Sequence, residues 1–276
     1  MISRPRQVLS RAAGRFWSRL TEETNISSRH LPVLCYHAIS DEPHTVSPAR
    51  FAAQMRWLRS RGYESVGLEL VTEPPPGRNR YVVITFDDGL ASLRANALPA
   101  LAECGFQATV FFPPALAGAT VWYSPQERGF VAAAQDGAKR LEFMSWEDAD
   151  RMAAAGMCFQ SHGWSHARLR GLAEQDAAAE LLRSRHALEA RFGQPVRFLS
   201  YPFGDFDDRV QRIAASLGYA GAVTTLPGVN SPRGNPFALR RIAPNPGDDL
   251  SSFAFKLSPA AGWYYRWGKA ERSGAQ

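Results

Sequence analysis

The chain alternates between short apolar runs and longer stretches in which apolar residues recur at helical spacing. The short runs are rich in β-branched and aromatic residues, which is typical of strands buried on both faces of a parallel sheet. Their alternation with amphipathic helices predicts βα units and an α/β fold. The predicted strands fall at residues 31–39, 81–86, 108–112, 157–162, 196–201, 220–224 and 239–242, and the predicted helices at 47–62, 93–104, 145–156, 172–192 and 207–217.

Three other parts of the chain lack this alternation. Residues 115–140 have no clear period, and we expect a long loop over one face of the sheet. The N-terminal segment, 1–31, predicts a short basic amphipathic helix that could rest on an anionic membrane surface, dock on its own domain or fray. The C-terminal tail, 249–276, is aromatic and basic. We therefore expect one central domain, 32–248, between two basic ends.

The formal charge of +6 is concentrated at those ends. Residues 1–31 carry six Arg against two Glu, and residues 252–276 carry four basic residues against one Glu. The central domain has no basic stripe, so we expect no nucleic-acid partner. The three cysteines are an odd number at unrelated spacings, so no disulfide framework is visible in the sequence. Neither a transmembrane span nor an apolar signal region is visible, so the expected location is cytoplasmic, either free or at the inner membrane surface.

Candidate chemistry begins where the strand at 81–86 ends, because Asp87 and Asp88 follow it directly. Neighbouring side chains on a strand point to opposite sides, so one carboxylate could hold a metal while the other faces a substrate. His162 and His166 follow a later strand and add two imidazoles. Two histidines and one aspartate form the donor set of a catalytic Zn²⁺ or similar divalent site. The alternatives are an ordinary Asp-Gly turn and a structural histidine pair.

Four short motifs resemble those of the polysaccharide deacetylases, the NodB-homology group also called carbohydrate esterase family 4. Residues 85–89, Thr-Phe-Asp-Asp-Gly, match the first family motif, residues 161–166 match the second, and residues 200–204 resemble the third. Residues 36–39, Tyr-His-Ala-Ile, are similar to the Tyr-His-x-Ile opening of the subgroup that acts on exported poly-N-acetylglucosamine. The resemblance extends over about residues 32–245, so it implies a NodB-like central domain.

The resemblance implies a distorted (β/α) barrel with fewer than eight repeats. It also implies metal-dependent hydrolysis that removes N-acetyl groups from a polysaccharide or glycan precursor and releases acetate. Carried over by position, Asp88, His162 and His166 would bind a divalent metal, for which Zn²⁺ is expected. Asp87 would be the general base, and the backbone N–H near Phe203 would help to hold the oxyanion.

Two departures from the family pattern stand out. The third motif usually begins with an arginine that orients the base, but Ser200 occupies that position, and we expect Arg241 to reach the base from another strand. The usual late histidine is also absent, because no histidine follows His186. By resemblance to the Tyr-His subgroup, His37 is the candidate general acid. Trp164 could form the floor of the sugar site or simply pack in the core.

The partner implied by the resemblance is an N-acetylated sugar polymer. A lipid-linked glycan precursor is an alternative that would suit peripheral membrane contact through the basic ends. The same scaffold could instead hydrolyse an O-acetyl ester or another amide. A non-catalytic glycan-binding protein is a further alternative, favoured by the missing arginine and late histidine. No role is assigned to the loop histidines His30 and His44.

Overall fold

A computed structural model describes residues 31–71, 80–124, 129–131, 137–258 and 261. The predicted N-terminal helix and most of the aromatic C-terminal tail lie outside these residues. Membrane contact therefore stays a prediction. Within the described part of the chain, no helix has the length and apolar composition needed to cross a bilayer.

Among the residues that the structure describes, eleven strands form two sheets. The larger sheet contains seven parallel strands in the order β1-β3-β4-β8-β9-β10-β11, and β2 pairs in parallel with the first half of β3. The smaller sheet contains β5, β6 and β7. The strands are β1 (Val33–Tyr36), β2 (Tyr63–Ser65), β3 (Arg80–Phe86), β4 (Thr109–Phe112), β5 (Thr120–Ser124), β6 (Gly129–Val131), β7 (Lys139–Glu142), β8 (Cys158–Ser161), β9 (Phe198–Ser200), β10 (Gly221–Pro227) and β11 (Leu239–Arg241).

The larger sheet closes on itself where the end of β11 meets β1. Leu34 and Ile242 form a parallel bridge. The Ile242 amide donates to the Val33 carbonyl over 2.7 Å, and the Cys35 amide donates to the Ile242 carbonyl over 2.9 Å. Closure on these few contacts gives a barrel of seven parallel strands within the described residues. The predicted distorted barrel with fewer than eight repeats is confirmed.

Helices surround the barrel and are α1 (Pro48–Ser60), α2 (Ser92–Asn96), α3 (Leu98–Cys104), α4 (Trp146–Ala154), α5 (Glu174–Phe192), α6 (Asp208–Ser216) and α7 (Leu250–Leu257). The predicted cap of α4 is present, because the Ser145 hydroxyl accepts from the Asp148 amide over 3.1 Å. The single helix predicted at 93–104 is wrong. Two helices meet at Ala97, since Pro99 cannot donate a helical hydrogen bond and disfavours a continuous helix.

The barrel strands are buried on both faces over most of their length, as their apolar runs predicted. One face packs against the helices through residues such as Leu34, Ile84 and Phe86. The other face fills the barrel with one residue from most strands, including Val33, Val83, Phe111, Phe198, Val223 and Leu239. Because side chains alternate along a strand, the next inward positions towards the carboxyl ends carry the polar residues described below.

The predicted long loop at 115–140 is wrong in part. It contains the antiparallel strands β5, β6 and β7, in which Trp122 lies opposite both Val131 and Arg140. All three strands are short, and β5 and β7 are only partly buried, so no sustained alternation marks them in the sequence. Later in the chain, α7 brings Phe253 against Trp57 of α1, with ring centroids 5.8 Å apart. The first part of the predicted C-terminal tail therefore packs against a helix of the central domain.

Candidate active site

Asp87 and Arg241 form a buried ion pair at the carboxyl end of the barrel. Asp87 follows β3, and Arg241 is the last residue of β11. Arg241 Nη1 lies 2.7 Å from Asp87 Oδ1, and Nη2 lies 2.6 Å from Oδ2. The side chain of Asp87 is only 4% exposed and that of Arg241 only 1%. The planar guanidinium therefore meets the carboxylate in a two-point contact shielded from water.

Three further residues fix the arginine in place. Arg241 Nε donates to the Thr224 carbonyl, and Nη1 donates to the Thr85 hydroxyl. Nη2 donates to the Ser200 hydroxyl, which itself donates to Asp87 Oδ2 over 3.1 Å. Ser200 therefore occupies the position of the expected motif arginine while Arg241 contacts the aspartate from β11. The predicted contact between Arg241 and Asp87 is present.

This ion pair decides the charge of Asp87. Burial alone would raise the pKa of the carboxyl group, but the charge and hydrogen bonds of Arg241 outweigh burial and lower the pKa to about 2. Asp87 is therefore a carboxylate at neutral pH. Cys35 lies 3.9 Å from Asp87 Oδ2, and burial raises the pKa of its thiol to about 12, so the thiol is neutral.

Asp88 points away from Arg241 and towards two histidines. Its Oδ1 lies 3.2 Å from the Nε2 atoms of both His162 and His166. His162 Nδ1 lies 2.7 Å from the Ser200 carbonyl, which fixes Nδ1 as the protonated nitrogen when the ring is neutral. Nε2 then presents a lone pair to a carboxylate oxygen, an arrangement that a shared cation or proton would stabilise.

The three side chains fit a divalent metal. Their donor atoms lie within 4.8 Å of one another, and the set is N, N, O. Such a set suits Zn²⁺ and leaves positions open for water or substrate. His162 already has its Nδ1 atom held by the Ser200 carbonyl. A backbone carbonyl at this nitrogen is a common outer contact of metal-bound histidines. The two neighbouring aspartates thus face different partners, as the strand alternation predicted.

The backbone around these groups adopts uncommon conformations. Asp88, His166 and Phe203 have φ angles of 68°, 62° and 60°. A left-handed conformation at a non-glycine residue carries strain, and such residues concentrate at functional sites. Gly89 follows with φ 65°, and a Cβ atom there would lie 2.2 Å from a ring carbon of Phe112. The turn after β3 therefore requires glycine directly beside the metal-binding candidate.

Glu180 of α5 shapes the loop between the two histidines. Its Oε2 accepts from the amides of Trp164 and Ser165 over 3.0 and 2.9 Å, and its Oε1 accepts from the Ser165 hydroxyl over 2.8 Å. The loop begins at His162 and ends at His166. One carboxylate thus satisfies three donors and sets the separation of the two imidazoles.

We expect Glu180→Ala to weaken metal binding by about 10- to 100-fold, because the loop would lose all three of those acceptor contacts. Competition with a chromophoric zinc chelator measures the affinity. Glu174→Ala, an exposed change on the same helix, is the matched control and should leave the affinity unchanged. Equal affinities in the two variants would contradict the role given to Glu180.

The remaining predicted residues surround this centre. His37 is exposed, and its ring lies within 4.8 Å of both Cys35 and Asp87. Phe203 lies in a short turn, Pro202–Gly204, and its ring packs edge-on against His166 with centroids 4.5 Å apart. Trp164 is half-buried, and Arg183 lies 4.5 Å over its ring. No contact in the structure tests the predicted roles of these three residues.

Sequence reasoning missed Glu180 and the hydroxyl groups of Thr85 and Ser200. Glu180 sits in a helix rich in charged residues, so nothing in its local pattern distinguishes it. Thr85 could have been found, because strand alternation places it on the same face as Asp87. Ser200 was noted only for the arginine it replaces.

Comparisons with protein families and solved structures find polysaccharide deacetylases. The family model described as Polysaccharide deacetylase matches residues 75–222. YxkH of Bacillus subtilis (strain 168) is 29% identical over 228 residues, covering 81% of this chain and 74% of YxkH. The structure of BC0361, a polysaccharide deacetylase from Bacillus cereus, is 27% identical with a TM-score of 0.69, covering 83% of this chain and 69% of that one.

The Streptococcus pyogenes deacetylase PplD, solved in complex with acetate, shares the fold with a TM-score of 0.71 at 23% identity. It covers 83% of this chain and 99% of its own. The family model spans more than half of the chain and includes Asp87, Asp88 and both metal-binding candidates of the second motif. The chain belongs to the polysaccharide deacetylase family and is a carbohydrate deacetylase of the hydrolase class.

Proposed function

We propose that this protein is a metal-dependent hydrolase that removes N-acetyl groups from a carbohydrate polymer and releases acetate. One observation carries the proposal. An N, N, O donor set and a buried, arginine-paired carboxylate stand side by side at the carboxyl end of one barrel. Ligands gather at this end of parallel barrels, so both groups can face the same substrate.

Asp88, His162 and His166 would hold the metal. A divalent ion such as Zn²⁺ bound there supplies Lewis acidity, which polarises the acetyl carbonyl and makes a nearby water more acidic. The chain's own part is to fix these three donors. Glu180 holds the loop that carries both histidines, and the Ser200 carbonyl orients His162.

Asp87 is the proposed general base. It is ionised at neutral pH, so it can accept a proton from the attacking water as the oxygen adds to the acetyl carbon. The guanidinium of Arg241 donates a hydrogen bond to each carboxylate oxygen of Asp87 and thereby limits how the carboxylate can rotate. Because a pKa of about 2 makes a weak base, the strength of this step depends on how well the water is positioned.

The leaving amine needs a proton when the carbon–nitrogen bond breaks. His37 is the proposed donor, because its exposed ring lies next to Asp87 at the end of β1. The backbone N–H of Phe203 is proposed to donate to the oxygen that becomes negative in the tetrahedral intermediate. Its unusual φ of 60° supports a turn built to aim that group.

The first experiment is a paired measurement of metal content and acetate release. Purified protein is analysed for bound divalent metals and assayed on N-acetylglucosamine oligomers with and without a chelator. We expect about one equivalent of metal and acetate release that stops with chelator and returns with Zn²⁺. His162→Ala should lose the metal, whereas His186→Ala, an exposed histidine on α5, should retain it.

Two outcomes would redirect the proposal. Metal without acetate from any N-acetylated sugar, but with acetate from an O-acetylated one, would establish the esterase alternative. Absence of bound metal after reconstitution would remove the hydrolytic mechanism and favour a glycan-binding protein.

A further inference from the structure

The ring of Phe203 contacts two side chains from the chain segment that carries the second metal-binding candidate histidine. Its centroid lies 4.5 Å from that of the His166 ring, and the two rings meet edge-on. The guanidinium carbon of Arg168 lies over the Phe203 ring, 3.9 Å from its centroid. A guanidinium in this position is attracted by the negative face of the ring. One aromatic ring therefore contacts both the histidine and an arginine two positions further along the chain.

Arg168 also reaches the end of the turn that presents this ring. Its Nη1 lies 3.9 Å from Asp205 Oδ2, and both side chains are only partly exposed. The Asp205 amide donates to the Pro202 carbonyl over 3.1 Å, directly after the turn Pro202–Gly204. One arginine thus contacts this part of the chain twice, through the ring of Phe203 and through the carboxylate of Asp205.

Both positions that the ring contact joins have a left-handed backbone, with φ of 62° at His166 and 60° at Phe203. A non-glycine residue keeps such a conformation where its surroundings enforce it. Strand β10 confines the turn closely, because a Cβ atom at Gly204 would lie 2.2 Å from the Thr225 hydroxyl oxygen. Arg168 confines the same turn from the chain segment of the histidines.

The two residues joined in this way have linked roles in the proposed reaction. His166 is a candidate ligand of the metal that polarises the acetyl carbonyl, and the Phe203 N–H is the proposed donor to the oxygen of that carbonyl. They belong to separate segments, one after β8 and the other after β9. A donor acts on a developing oxyanion from about 3 Å, so the spacing of the two segments affects the barrier. The ring contact fixes this spacing, and Arg168 stabilises the ring contact.

We propose that Arg168 is a positioning residue for deacetylation, which holds the Phe203 ring against His166 and thereby places the oxyanion donor relative to the metal-binding candidates. The inference rests on the proposed function and adds a residue to its machinery. Arg168 acts through Phe203 and does not touch the reacting atoms. Its loss therefore slows the chemical step and leaves substrate affinity nearly unchanged, because the oxyanion contact forms mainly in the transition state.

Arg170 provides a matched control two positions away. Its guanidinium lies 3.9 Å from Asp205 Oδ1 and 4.0 Å from Asp207 Oδ2. Within the described part of the chain, it lies over no aromatic ring. The two arginines thus share their charge and one acidic partner, and they differ in the ring contact. A difference between their alanine variants reports on that contact.

The test measures kcat and KM for acetate release from an N-acetylglucosamine tetramer by zinc-loaded protein. We expect Arg168→Ala to lower kcat about five- to tenfold with KM changed by less than about twofold. Arg168→Lys should recover part of kcat, because it keeps the charge but loses the flat stacking contact. Guanidinium chloride at low millimolar concentration should also restore part of kcat in Arg168→Ala. Arg170→Ala should keep the wild-type kcat.

Zinc affinity, measured by competition with a chromophoric chelator, gives a readout without turnover. We expect Arg168→Ala to bind zinc about two- to fivefold more weakly than Arg170→Ala, because the ring beside His166 loses its cation contact. This difference supports the positioning role even if the wild type releases no acetate, in which case the deacetylase function alone fails. Equal kcat and equal zinc affinity in Arg168→Ala and Arg170→Ala would overturn the positioning role, and acetate release by both would leave the deacetylase function intact. Arg168→Lys carries the same comparison if Arg168→Ala does not fold.

Discussion

Replacing Arg241 by methionine is expected to lower the free energy of unfolding by about 3–5 kcal/mol, because Asp87 would remain as a buried charge without its partner. The remaining hydrogen bond from the Ser200 hydroxyl cannot neutralise a carboxylate. Denaturant unfolding followed by fluorescence measures the loss. Acetate release should fall in the same variant, since nothing else in the described part of the site pairs with both carboxylate oxygens.

A double variant separates the ion pair from simple loss of packing. Arg241→Met combined with Asp87→Asn removes both charges, so we expect it to be more stable than Arg241→Met alone. Arg241→Lys keeps the charge but loses the planar two-point contact, and it should fall between the wild type and methionine. A double variant whose loss equals the sum of the two single losses would show that the two side chains are not coupled.

Replacing Asp87 by asparagine is expected to reduce acetate release by about 10²- to 10⁴-fold while bound metal stays near the wild-type level. The amide cannot accept the proton of the attacking water, yet it leaves Asp88, His162 and His166 in place. Metal analysis and acetate assays on the same preparation provide both values. Asp88→Asn is the paired variant and should lose metal as well as activity.

This prediction needs a control for stability, because Asp87→Asn leaves the guanidinium of Arg241 without its counter-charge. Assays are therefore run well below the measured unfolding transition of each variant. Ser200→Ala removes one hydrogen bond to Asp87 and should cost far less activity than Asp87→Asn. Full activity in Asp87→Asn would exclude Asp87 as the base.

The barrel could be predicted from the sequence because its strands are continuous apolar runs separated by amphipathic helices. Such runs are required of strands buried on both faces, so the signal is strong. The strands β5, β6 and β7 were not predicted, because they are short and carry no sustained pattern, and β5 and β7 are only partly buried. The break at Ala97 was missed for a different reason. Pro99 lies within the first turn of α3, where a proline is tolerated and the flanking periodicity continues.

The site could be predicted where a residue type and its strand position agree. Asp88, His162 and His166 follow strand ends, and the structure brings their donor atoms together. Arg241 was expected at the base from family resemblance, and the contact exists. Glu180 could not be predicted, because it acts through the amides of the histidine loop, and this property has no signature in residue type.

The seam between β1 and β11 has a consequence for the order of folding. Asp87 and Arg241 are 154 positions apart, and Arg241 directly precedes the residue that closes the barrel. Contacts between such distant positions form late, since a long chain must first be ordered. Until the final strand docks, Asp87 has no counter-charge and the interior remains open to water. Closure of the barrel and assembly of the proposed base are therefore one event, and we expect chains that stop before β11 to be both unfolded at the seam and inactive.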